Sequence, residues 1–107
     1  MRTATAVDRL SALAQASRLE IFRRLVQAGP EGLAAGEIAE ALGIAKPTLS
    51  FHLGQLERSG LVASRRDGRS ILYRADYDSI TDLVGFLYEN CCGMGSACLP
   101  PLRRSKP

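Results

Sequence analysis

Apolar residues recur along this chain at two periods, and the change from one to the other divides it into helices and a hairpin. Val7, Leu10, Leu13 and Ala14 fall three and four residues apart, which predicts a first helix. Ser17, with Glu20 three residues on, has the form of a capping box opening a second helix. Leu19, Ile21, Phe22, Leu25 and Val26 follow, and Gly29-Pro30 stops it. Ile38, Ala39 and Leu42 predict a short third helix ended by Gly43. Pro47 suits the first turn of a fourth, where its missing N–H costs nothing. On that helix Leu49, Leu53 and Leu56 (i, i+4, i+7) form the inward stripe, Ser50, Phe51, Gly54 and Gln55 lie off it, and Gly60 closes it.

Two short runs then flank a turn, Leu61 to Arg66 and Ser70 to Arg74. Asp67-Gly68 between them is a strong hairpin signal, because both residues tolerate positive φ. A last helix is expected from about Asp76, with Tyr77, Ile80, Leu83, Val84 and Leu87 along one side. Helix, helix, short helix, longer helix, hairpin, helix is the order of a winged helix-turn-helix, a mainly α fold with a β-hairpin wing. The expected division is one domain over 1–98 and a flexible, proline-rich, basic tail over 99–107.

With 107 residues, 46% of them apolar, the chain has room for one small core, and self-association is a natural source of further stability. A formal charge of +3 permits nucleic-acid binding without demonstrating it. No charged-then-apolar leader opens the sequence, and no apolar run approaches the roughly 18 residues of a membrane span. The expected compartment is therefore the cytoplasm, where thiols stay reduced. The three cysteines, Cys91, Cys92 and Cys98, are an odd number, and a bridge between adjacent Cys91 and Cys92 would be strained. Free thiols are the better reading.

A recognition helix needs an apolar back and an outer face of small polar groups that fits the major groove of double-stranded DNA. Lys46, Thr48, Ser50, His52 and Gln55 supply donors and acceptors on the fourth helix. His52, the only histidine, has a spacing from Leu49 and Leu53 that equally allows a hydrogen-bonding role at the core edge. Phe51 on an outward face either meets a thymine methyl or covers a neighbouring helix. Arg65, Arg66 and Arg69 surround the hairpin turn and are suited to phosphates or the minor groove. The competing account is a helix pair that serves only packing and a hairpin whose arginines are merely solvated.

Ala16-Ser17-Arg18-Leu19-Glu20-Ile21, Glu37-Ile38-Ala39-Glu40-Ala41-Leu42-Gly43, Thr48-Leu49-Ser50-Phe51-His52-Leu53-Gly54-Gln55-Leu56, Gly60-Leu61-Val62 and the wing from Arg65 to Arg74 together resemble the ArsR/SmtB family of metal-responsive repressors. The resemblance spans roughly residues 7 to 90 in order. It implies a homodimer paired through its first and last helices, whose two recognition helices, about 34 Å apart, read a palindromic operator.

Three thiols within eight residues are too concentrated for isolated packing cysteines. Soft thiolates select soft ions; As(III) and Sb(III) prefer three sulphurs in a pyramid, whereas closed zinc sites take four tetrahedral ligands. With no histidine nearby, the set fits As(III) or Sb(III) as inducer, with cadmium, lead, zinc or thiol oxidation as the alternative. Gly93 and Gly95 would let the chain fold back; without that reversal Cys98 could lie about 20 Å away. The family's third-helix Cys-Val-Cys site has no counterpart in Glu37–Leu42, and its last-helix zinc site lacks a histidine beside Asp78, Asp82 and Glu89, which read as solvated residues. The spacing is instead similar to arsenic-responsive members carrying Cys-Cys-x5-Cys just after the last helix. A thiol enzyme such as an arsenate reductase is disfavoured, because no glycine-rich anion loop or activating base accompanies the cysteines.

Overall fold

Helices take up most of residues 1–90, which are the residues the computed structural model describes. In chain order the elements are α1 (Thr3–Leu13), α2 (Ala16–Ala28), β1 (Leu33–Ala34), α3 (Ala35–Leu42), α4 (Lys46–Arg58), β2 (Val62–Asp67), β3 (Ser70–Ala75) and α5 (Tyr77–Leu87). The winged helix-turn-helix expected from the pattern is the observed fold. Cys91, Cys92, Cys98 and the expected tail lie outside the described residues.

Several boundaries differ from the sequence reading, each for a local reason. The Gln15 side chain, not Ser17, caps α2, accepting from the Arg18 N–H at 2.8 Å, so Ser17 and Glu20 both sit inside the helix. At α3 the Glu37 carboxylate accepts from the Ala34 N–H at 2.9 Å. Asp76 caps α5 through a bond from the Ser79 N–H at 3.1 Å. In the wing, Asp67 pairs with Ser70, which makes Gly68 and Arg69 the two turn residues. Gly68 alone takes a positive φ, 63°, as the first central position of a type II′ turn requires. The turn is thus one residue later than Asp67-Gly68.

The sheet is antiparallel in the order β1-β3-β2. Its extra strand, β1, pairs Leu33 with Tyr73 and ties the loop before α3 to the base of the wing. Two residues are too few to show any period, so the sequence gives no sign of this strand.

One core joins the helices to the wing. Ile21 and Leu25 of α2, Ile38 of α3, Leu49, Leu53 and Leu56 of α4, and Leu61 at the entry to β2 are almost wholly buried. Burying each such side chain is worth about 1.5–3 kcal/mol, but apolar burial has no direction and does not fix how a helix is rotated. Directed bonds do that here. The Arg9 guanidinium of α1 donates to the Ser59 carbonyl at the end of α4 (3.2 Å) and to the Ser79 carbonyl in the first turn of α5 (2.9 Å). Arg18 donates to the Ala12 carbonyl at 2.7 Å, and the Tyr77 hydroxyl donates to Val26 of α2 at 3.0 Å.

Because Arg9 joins three helices through charge-assisted bonds, Arg9→Met, which keeps the aliphatic stem, should lower unfolding free energy by about 2 kcal/mol in urea titrations. A change below about 0.5 kcal/mol would show that the clip is not structural.

Candidate nucleic-acid interface

The helix-turn-helix is α3, the left-handed Gly43 that ends it, and α4. Glycine at this C-cap releases the chain into Ile44 and Ala45, after which Lys46 and Pro47 open α4. Leu49, His52, Leu53 and Leu56 form its buried face. A helix turns about 100° per residue, so the opposite direction falls on Phe51, Gly54 and Arg58, with Ser50 and Gln55 to either side. Lys46, Thr48 and Ser50 are exposed along the first two turns, and Gln55 is half-buried. The expected polar set is therefore arranged around Phe51, whose ring is 57% exposed. Among the described residues Phe51 is not covered by a neighbouring helix.

His52 departs from the expected base-contacting set. It is only 7% exposed, and its Nδ1 stands 3.5 Å from Arg18 Nη1, a long and weak bond in which arginine donates. That geometry leaves the imidazole proton on Nε2. The reason lies in its spacing, three residues after Leu49 and four before Leu56, which puts it on the buried stripe. Burial, and secondarily the Arg18 charge, hold the His52 pKa below its ordinary 6.5.

The wing arginines do not share one face. Arg65 and Arg66 are successive strand residues and point to opposite sides. Ser64, on the same side as Arg66, donates to the Glu57 carboxylate of α4 at 2.8 Å. Arg65, on the other side, donates to the Glu31 carbonyl at 3.3 Å. Arg69 is exposed in the turn. The α4-facing side of the wing thus presents Arg66, and its tip presents Arg69.

Arg58 was missed by the sequence reading. It is exposed in the last turn of α4, seven residues after Phe51, and that interval of two turns was the available signal. With Gln55, Ser59, Asp8, Ser11 and Arg18 it lines a cleft of about 360 Å³ between α1 and α4. Among the described residues no group of three or more His, Cys, Asp or Glu is gathered to hold a metal ion. No described helix is long and apolar enough to cross a membrane.

Comparison with known proteins bears directly on this interface. The family model for a helix-turn-helix domain matches residues 13–65. Over 77 residues the chain is 42% identical to YceK of Bacillus subtilis, an uncharacterized HTH-type transcriptional regulator, covering 71% of this chain and 76% of that protein. An ArsR-like transcriptional regulator from Rhodococcus sp. RHA1 superposes with a TM-score of 0.72 at 30% identity, over 78% of this chain and 76% of the other. The chain belongs to the ArsR family. It is a transcriptional regulator of the DNA-binding winged-helix type, as the resemblance implied. The homodimeric winged-helix domain of Mb0332 from Mycobacterium bovis, a possible ArsR-family regulator, is also similar, with a TM-score of 0.67 and 30% identity over 78% of this chain and 76% of that one. The nodulation protein NolR of Rhizobium meliloti is 37% identical over 78 residues, 73% of this chain, and the chain spans 62% of that protein's length.

Two outcomes follow from this geometry. Because the folded-state pKa of His52 is lowered, the unfolded chain takes up the proton first as pH falls. Stability should therefore be full above about pH 6.5 and decline as pH drops toward the lowered value. His52→Gln, which cannot titrate, should flatten the change between pH 7 and 5 in urea titrations; an unaltered slope would place the titration elsewhere. On DNA, Arg66→Ala and Arg69→Ala should each reduce the slope of log affinity against log salt by about 1, and Arg65→Ala by clearly less. Equal effects at all three positions would contradict the two-sided wing.

Proposed function

We propose that the protein is a repressor that binds operator DNA as a homodimer and releases it when As(III) or Sb(III) is captured by Cys91, Cys92 and Cys98. The observation that carries the inducer is the donor set: three thiols within eight residues and the only histidine of the chain buried far back in α4. Three sulphurs match a trivalent ion with a lone pair, and a fourth ligand for tetrahedral zinc is not offered by the same segment.

Two features of the fold support this reading. The last described helix ends at Leu87, and Asn90 takes a left-handed φ of 58°, so the described chain has left helical geometry before it ends. The dimer is supported by apolar side chains exposed on α1 and α5, Val7 at 53%, Leu10 at 41% and Leu87 at 59%. Self-pairing through those helices would bury them and bring two α4 helices onto one face of a duplex. Capture of the ion beside α5 would then act on the same helices that set the spacing of the two heads. A coupling of about 1–3 kcal/mol corresponds to weakening of DNA binding by roughly 5- to 150-fold.

In a duplex-binding titration, arsenite or antimonite should dissociate the wild-type complex. Cys91→Ser, Cys92→Ser and Cys98→Ser should each bind DNA normally and ignore arsenite. Normal release by all three variants would refute the site. Mass spectrometry of the reduced protein should find one arsenic per subunit, and one ion bridging two subunits would refute capture within a single chain.

A further inference from the structure

Gly54 has no structural reason to be glycine. It lies in the middle of the 13-residue α4, its φ is not in the left-handed region, and a Cβ built there would meet no atom of the described residues within 4 Å. Glycine weakens a helix interior, since it gives up the most backbone freedom on folding and adds no packing. The fold itself would therefore gain from alanine at this position.

What surrounds Gly54 identifies the demand as external. It sits opposite the buried leucine stripe, three residues after exposed Phe51, four after exposed Ser50 and four before exposed Arg58. The missing side chain leaves a notch in the centre of the outward face, with an aromatic ring at one end and a guanidinium at the other. Glycine at such a point allows a partner to come within van der Waals distance of the helix backbone.

We propose that Gly54 is the point of closest approach between α4 and duplex DNA: the notch admits the edge of a base pair, and the Phe51 ring packs on a thymine C5-methyl beside it. The chemistry suits that partner. The major groove presents the thymine methyl as its apolar feature, Ser50 and Gln55 flank the notch as hydrogen-bonding groups, and Arg58 is matched to a phosphate. This inference rests on the reading of α4 as the helix that enters the groove, and it assigns Gly54 a positioning role.

The test separates stability from binding. A palindromic duplex is first selected from random DNA by the wild-type protein, and Gly54→Ala and Gly54→Leu are then compared with wild type on it. Gly54→Ala should raise Tm by about 2–8 °C and yet weaken binding about 10-fold, with a larger loss for Gly54→Leu. Replacing thymines by uracil one at a time should weaken wild-type binding at the contacted position and have a smaller effect on Gly54→Ala. Binding by Gly54→Ala within twofold of wild type would overturn the notch alone. Failure of the wild-type protein to retain any duplex would overturn the DNA reading, and the notch with it. A loss of binding accompanied by a lowered Tm would also overturn it, because glycine would then be serving the fold.

Discussion

The orientation of α4 depends on guanidinium groups that reach it from other helices. Its apolar stripe seats it on the core, but leucines packed against leucines tolerate small rotations and slides. Arg9 holds the Ser59 carbonyl just beyond α4, and Arg18 reaches His52 in its middle while gripping the Ala12 carbonyl at the end of α1. These bonds are directional, and those of Arg9 are shared with α5 through the Ser79 carbonyl. A helix proposed to present Phe51, Gly54 and Arg58 to DNA is therefore indexed against α1 and α5, whose exposed Val7, Leu10 and Leu87 are the proposed dimer contacts.

This connection gives the proposed switch a physical route. Cys91 follows α5 by only a few residues, and the other end of α5 is bonded to Arg9. A change in how α5 packs, whether by ion capture or by altered pairing of two copies, would act on a residue that also holds the end of α4. The wing is less constrained: its base is fixed by β1 and by Ser64 on Glu57, whereas Arg66 and Arg69 extend from it.

Much of the architecture was legible in the sequence, because helices declare themselves through three- and four-residue spacing over several turns. The stripe of Leu49, Leu53 and Leu56 located α4 and its outer face directly. Features set by one or two residues were not legible. Gln15 displaced Ser17 as the cap of α2 because the helix begins at Ala16, which leaves Ser17 inside it, although serine is the commoner capping residue. Strand β1 was too short for any pattern, and the II′ turn shifted the hairpin by one residue because strand register, not the Asp-Gly pair, fixed the loop. His52 carried both readings in its spacing, and burial beside Arg18 decided it. Arg58 and Gly54 carry weak signals in the sequence, because an arginine in the last turn of a helix is ordinary and the contribution of a glycine is the lack of a side chain. The thiol set is legible only as chemistry, since its ligand count and softness lie in the sequence and its geometry lies outside the described residues.

The central claim is that the thiol segment and the DNA-binding face are coupled, and coupling between binding sites is reciprocal. The most direct measurement is the affinity of the reduced protein for arsenite, determined once free and once saturated with its operator duplex. The account predicts weaker arsenite binding in the DNA complex, by the same factor by which arsenite weakens DNA binding. Equal arsenite affinity in the two states would contradict it.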